Sequence, residues 1–219
     1  MKVVICMGRI TSIQKRRGIV LVEIEDEPAL RIPASLYRER PLQVHTELDL
    51  HAYQDWLSGR EPQHALNRAV EYLAARPRTE REMETRLRQC GYSERSIACV
   101  MARLAHEGFI NDAQFADLWT QARQERSLGK RRIAQELMRK GVSCEHVDAA
   151  LSQVDEEEQL RQATELCAKL LGRTSGKDAR DVRRKVLAAL VRRGYGWDTA
   201  KQALARADEA AQEDDDWNE

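Results

Sequence analysis

Arginine and lysine are grouped along this 219-residue chain in a way that suits contact with a polyanion. Arg76, Arg78 and Arg81 form one group, Lys130, Arg131 and Arg132 a second, and Arg139 with Lys140 a third. Arg183, Arg184 and Lys185, then Arg192 and Arg193, complete the set. Cations repeated along one side of an array can follow a phosphate backbone through salt-sensitive contacts, or meet acidic patches on a protein filament. The competing reading is a set of solvated helices whose cations pair with Glu80, Glu84, Glu136 and Asp181, each pair contributing little. Contact is favoured because a basic excess survives pairing: residues 65–206 carry 27 basic and 20 acidic side chains. Residues 1–64 are balanced at nine of each, and residues 207–219 carry seven acidic side chains and no basic ones. Net charge zero thus conceals a basic body with an acidic tail, residues 212–219, expected to screen that body at low salt.

Other chemistries find no support. Cys6, Cys90, Cys99, Cys144 and Cys167 are odd in number and scattered without a CxxC pair, as in reduced cytoplasmic proteins rather than disulfide frames or zinc sites. The histidines at 45, 51, 64, 106 and 146 form no HxxxH or HExxH pattern. Residues Gly172 to Asp178 imitate a phosphate loop, but the length is wrong and no strand precedes them. No GxGxxG or GxSxG occurs. A protein without catalytic residues, metal or cofactor is therefore expected. No apolar run reaches the roughly 18 residues of a membrane span, and the opening MKVVICMG lacks a signal-peptide core, so a cytoplasmic location is expected.

The elements that must position the cations follow from hydrophobic period. Charged residues make up 33% and aromatic ones 5%, at a mean hydropathy of −0.64, which suits helices wet on one side that share modest cores. The β-branched runs at 3–5, 10–13 and 19–24 predict strands, with a turn over Lys15 to Gly18 and a short edge strand Leu30 to Pro33. From Pro62 the period becomes helical, and Ser58 to Pro62 is read as the start of a new unit. The text then repeats. Leu87, Leu137 and Leu190 each precede a glycine by four residues, and those glycines, Gly91, Gly141 and Gly194, lie 50 and 53 residues apart. Eight positions before each stand Met83, Ile133 and Val186; six after, Ile97, Val147 and Ala200; ten after, Met101, Leu151 and Leu204. Glycine ending one helix and permitting the turn into the next explains the spacing. Thr79 with Glu82 is a capping box, and Ser93, Ser143 and Asp198 are the expected caps of each unit's third helix. Phe115, Trp119 and Tyr72 sit at helical spacing among aliphatics, so packing is favoured over base stacking.

These residues resemble the RecX family. The string Ala65 to Leu73, then Arg76 to Glu80, Leu87 and Gly91, is similar to its first repeat. Gly108 to Asp112, Phe115, Ala116, Trp119 and Arg123, then Gly129, Arg132, Ile133, Glu136, Leu137, Lys140 and Gly141, are similar to its second. The third repeat is matched more loosely, through Leu190 and Arg192 to Tyr195. The resemblance implies a cytoplasmic regulator that binds the RecA recombinase and its filament on DNA, lying in the filament groove. It would limit filament growth, ATP hydrolysis, strand exchange and coprotease function.

The fold expected is mainly α: three tandem three-helix repeats in a curved array behind a small N-terminal antiparallel β-unit. The boundaries expected are a β-unit and linker over 1–58, repeats over 59–110, 111–155 and 156–211, and a tail over 212–219. The β-unit is expected to be separable near Glu61. A monomer that binds RecA and its DNA filament is expected, with no membrane partner and with direct DNA contact left open. A helix-turn-helix regulator of duplex DNA acting without RecA, and a passive helical adaptor, are the alternatives.

Overall fold

The structure, a computed structural model, describes residues 7–176 and 178–216, with side chains as far as residue 210. The strand expected at residues 3–5, Cys6, Lys177 and all side chains of the acidic tail, residues 212–219, lie outside the described residues. Strands β1 (Met7–Arg16), β2 (Ile19–Ile24), β3 (Glu27–Pro33) and β4 (Glu47–Asp49) form an antiparallel sheet in the order β3-β2-β1-β4. Ile10, Val20, Val22, Ile24 and Ile32 are buried on one face, as period-two alternation requires. They pack against Leu36 of α1 (Ala34–Glu39) and against Tyr53 and Leu57 of α2 (Leu50–Ala75). Strand β4 carries too few residues to show a pattern. It exists because its backbone completes the ladder with Met7, Gly8 and Arg9.

Helix α2 corrects the expected start of the helical region. It begins at Leu50, capped by Asp49, whose side chain accepts from Ala52 N at 3.0 Å, and runs unbroken through Pro62. Proline inside a helix removes one hydrogen bond and normally bends or ends it. Here the helix is held on both sides of Pro62: Tyr53 and Leu57 lie in the sheet's core, and Ala65 and Ala69 in the first repeat's core. The boundary expected between residues 58 and 59 therefore falls inside one continuous helix. Sheet and repeat also touch directly: Tyr92 Oη lies 3.3 Å from Ser35 Oγ and donates to His64 O at 3.2 Å. Residues 1–111 form one compact unit and residues 112–219 another.

Glu61, buried inside α2, ties the helix to the next turn. Its carboxylate accepts from Ser96 Oγ at 2.9 Å, from Ser93 N at 3.3 Å and from Ser93 Oγ. Truncation at Glu61 would remove the half-helix that holds this carboxylate in place. Glu61→Ala should remove these bonds, including that of the buried Ser96 hydroxyl, at a cost of about 1–3 kcal/mol. Urea unfolding at neutral pH measures it, and an unchanged midpoint would refute the role.

The remaining helices repeat as the spacing requires. Repeat 1 adds α3 (Glu80–Gln89) and α4 (Glu94–His106) to the end of α2. Repeat 2 consists of α5 (Asp112–Gln124), α6 (Lys130–Lys140) and α7 (Cys144–Ser152), and repeat 3 of α8 (Glu156–Leu171), α9 (Ala179–Arg192) and α10 (Trp197–Asp216). Gly91, Gly141 and Gly194 have φ of 85°, 91° and 93°, a left-handed turn that glycine adopts without a Cβ clash. In each case the residue after the glycine donates its N–H to the leucine carbonyl five back: Tyr92 to Leu87, Val142 to Leu137, Tyr195 to Leu190. The matched apolar positions are buried apart from Leu151, which is half-buried, and Leu87, Leu137 and Leu190 are buried completely, so every repeat has its own core. Thr79, Ser93 and Ser143 cap their helices through side-chain oxygens. Asp198 does not take the cap position: α10 starts at Trp197, and Ala200 N donates to Gly196 O at 2.9 Å. Helix α10 also continues to Asp216, so the backbone from Asp208 to Asp216 is helical rather than an extended tail.

Candidate functional site

Two basic groups separated by about sixty residues in sequence meet where α9 ends and α6 begins. Gly129 N donates to Arg193 O at 3.0 Å, and Arg131 N to Gly194 O at 3.1 Å. The amino end of α6 thereby supplies donors to the terminal carbonyls of α9, groups that a helix leaves unsatisfied. The approach is possible because both contact residues are glycines. A Cβ on Gly129 would lie 2.4 Å from the Gly194 carbonyl, and one on Gly194 would lie 2.3 Å from Arg132 N. The junction gathers Lys130, Arg131 and Arg132 with Arg192 and Arg193. Lys130 reaches Glu156 at 3.4 Å and Arg132 reaches Glu136 at 3.5 Å. Arg193 donates to Arg126 O at 3.2 Å. Arg131 and Arg192 are exposed and have no partner among the described residues. The result is a concentrated positive surface with two free guanidinium groups.

The other basic residues are more heavily committed. Arg76 pairs with Glu82 at 3.2 Å. Arg78 turns inward onto the Tyr72 ring, 5.6 Å from its centroid, with Arg68 and Arg86 at 5.0 and 4.6 Å. Arg81 and Arg139 are exposed. Arg183 pairs with Asp208 at 3.0 Å, while Arg184 and Lys185 share Asp181 at 2.6 and 2.9 Å. Hydrogen bonds from Lys185 and Arg184 hold the Asp181 carboxyl down at about 2. Arg68, Arg86 and Arg126 escaped sequence reasoning. Arg68 and Tyr72 are one helical turn apart and were findable, whereas Arg86 reaches the ring only through the packing of α3 on α2.

Aromatic residues divide between core and cation contacts. Phe115 is buried, with Trp119 stacked on it at 5.6 Å. Trp119 itself is half-buried, with Arg123 4.0 Å and Lys140 4.4 Å from its ring. Glu136 joins this cluster, accepting from Arg123 at 2.6 Å and from Trp119 Nε1 at 3.2 Å. Burial alone would raise the Glu136 pKa. The bonds from Arg123 and Trp119, with the charge of Arg132, outweigh burial and hold it below the usual 4.5. A depressed carboxyl stabilises the fold above its unfolded pKa and loses that contribution as pH falls through the folded value. Wild type should therefore exceed Glu136→Gln in stability at pH 7, and the gap should narrow as the pH drops below 4.5. A gap in urea midpoint that is flat between pH 7 and pH values well below 4.5 would refute the assignment.

No group of His, Cys, Asp and Glu among the described residues has the arrangement of a metal site, and no described helix is long and apolar enough to cross a membrane. Cys90 and Cys167 are buried free thiols, and burial pushes Cys167 up to about 11. Three family models match the chain in order: the first three-helix domain of RecX over residues 65–104, the second over 111–151 and the third over 156–204. The regulatory protein RecX of Amycolatopsis mediterranei (strain U-32) is 36% identical over 124 residues, 56% of this chain and 71% of that protein. The chain belongs to the RecX family. The regulatory protein RecX of Streptomyces coelicolor is 35% identical over 143 residues, covering 65% of this chain and 76% of its own. Two solved RecX structures share the fold. One covers 89% of this chain and 97% of its own at a TM-score of 0.62, and RecX from Lactobacillus salivarius covers 68% and 98% at 0.64, both at 24% identity. The three-helix repeats thus have the architecture of this family, whose members are named regulatory proteins.

Proposed function

We propose that this chain is a monomeric cytoplasmic regulator that binds the RecA recombinase and its nucleoprotein filament and restrains filament growth, ATP hydrolysis, strand exchange and coprotease function. It acts by steric and electrostatic contact, without a cofactor or a chemical step of its own. The observation that supports the reading most is the junction of α6 and α9. A family regulator whose repeats bring Lys130, Arg131, Arg132, Arg192 and Arg193 together offers a polyanionic filament a dense cationic surface. Arg139 and the pairs at Arg183, Arg184 and Lys185 would extend it, and Arg81 would offer a separate cation on the first unit. Arg76, Arg78 and Lys140 are held by Glu82, Tyr72 and Trp119 and would contribute less. The test is RecA ATPase on single-stranded DNA, titrated with the full chain at fixed salt. A concentration-dependent fall is expected. An unchanged rate would overturn the filament reading, and tight sequence-specific binding to duplex DNA without RecA would replace it with a helix-turn-helix regulator.

A further inference from the structure

Helix α9 carries two apolar stripes: one is fully buried in its own core, and the other only edges it, Leu187 packing against that core while Val191 is exposed. Val186 and Leu190 are fully buried. Leu187 and Val191 follow each of them by one residue, about 100° round the helix. With Ala188 and Leu204 they floor an open groove of about 730 Å³, walled by Trp197 at the start of α10. Val191 is 38% exposed and Trp197 48% exposed, so large apolar side chains stand in water. Folding alone gives no reason for them.

The groove's rim is cationic. Arg180, Arg183, Arg184 and Arg192 surround the apolar floor. Asp208 and Asp181 neutralise Arg183 and Arg184, but Arg180 and Arg192 have no partner among the described residues. Residues 180, 184, 187, 188 and 191 follow helical spacing, which places the charges and the apolar floor on one continuous face. An apolar centre with a charged rim is the usual anatomy of a protein-binding patch.

We propose that this groove seats a short acidic amphipathic segment of a protein partner, its apolar side chains on Leu187, Val191 and Trp197 and its carboxylates against Arg180 and Arg192. A nucleic-acid strand fits less well. Its phosphates would find the arginines, but all four floor residues are branched aliphatics or alanine beside one aromatic wall, and bases stack on flat aromatic faces. The proposal goes beyond the filament reading and does not require it, since any partner presenting such a segment would be recognised.

The test uses the full chain and three labelled probes: a short Asp/Glu peptide with leucine and phenylalanine at helical spacing, a peptide of equal charge with serine at those positions, and oligothymidylate. The amphipathic peptide should bind about tenfold more tightly than the serine peptide. Val191→Ser with Trp197→Ser should weaken it by about tenfold, as should Arg180→Glu, with helical circular dichroism unchanged. Both changes fall on exposed side chains, so the fold should tolerate them. Equal binding of the two peptides, or full binding by the Val191→Ser, Trp197→Ser protein, would overturn the proposal. Oligothymidylate binding that depends on Val191 and Trp197 would overturn it in favour of nucleic acid. RecA ATPase, scored on the same preparations, reports on the filament reading separately.

Discussion

Gly129→Ala is expected to lower the melting of the second unit sharply while leaving the first unit almost unaffected. Gly129 has φ of −78°, a conformation open to any residue, so backbone strain is not the reason. The reason is space: its Cβ would sit 2.4 Å from the Gly194 carbonyl carbon and oxygen and from Tyr195 N, all of them backbone atoms unable to swing aside. To admit the methyl group, α6 and α9 must separate, which breaks the bonds from Gly129 N to Arg193 O and from Arg131 N to Gly194 O. Overpacking of this kind costs about 1–3 kcal/mol, and two weakened hydrogen bonds add on the order of 1 kcal/mol. For a unit of this size that corresponds to a fall on the order of 10–20 °C. Calorimetry of the full chain would resolve it as a shift in the transition belonging to residues 112–219. Gly59→Ala is the control. Nothing lies within 4 Å of that added Cβ in the interior of α2, and alanine should stabilise the helix by about 0.5–1 kcal/mol. Equal stability of Gly129→Ala and wild type would show that the junction is looser than its distances imply.

Reversing charge at the junction should instead weaken function while sparing the fold. Lys130→Glu with Arg131→Glu replaces two cations in the first turn of α6, where an acidic side chain suits the helix dipole. Lys130 loses only a pair with Glu156, whose side chain is 92% exposed and free to turn into water. The concentration of this protein needed to halve RecA ATPase should rise about tenfold, or roughly 0.7 kcal/mol for each reversed charge. Raising the salt should shrink the difference, because contacts of this kind are screened. Reversal at Arg183 and Arg184 is a poorer probe, since the new carboxylates would face Asp208 and Asp181. Leu137→Ala supplies the contrast: it removes a fully buried side chain and should lose function through unfolding, at about 2–5 kcal/mol. Charge-reversed protein that stays folded and inhibits as well as wild type would rule out the junction as the working surface.

The sequence by itself determined the repeat, the identity of its core residues and the handedness of its turns. A leucine four residues before a glycine, with apolar residues at fixed offsets, can bury its apolar side in only one helical register. Met83, Ile133 and Val186 are accordingly buried in their three cores, and all three glycines are left-handed. Capping was legible where a side chain must satisfy nearby N–H groups, as at Thr79, Ser93 and Ser143, and failed at Asp198, because Gly196 two residues earlier already ends the turn. The unbroken α2 was not legible, since Pro62 is a local stop signal overridden by cores on either side of it. Nor was the fate of each cation. Tertiary structure turned Arg78 onto Tyr72, bound Arg183 to Asp208 from another helix, and set the start of α6 against the end of α9. Charge clusters are written in the local sequence, but which of them remain free is decided by the carboxylates and rings that packing brings within a few ångströms.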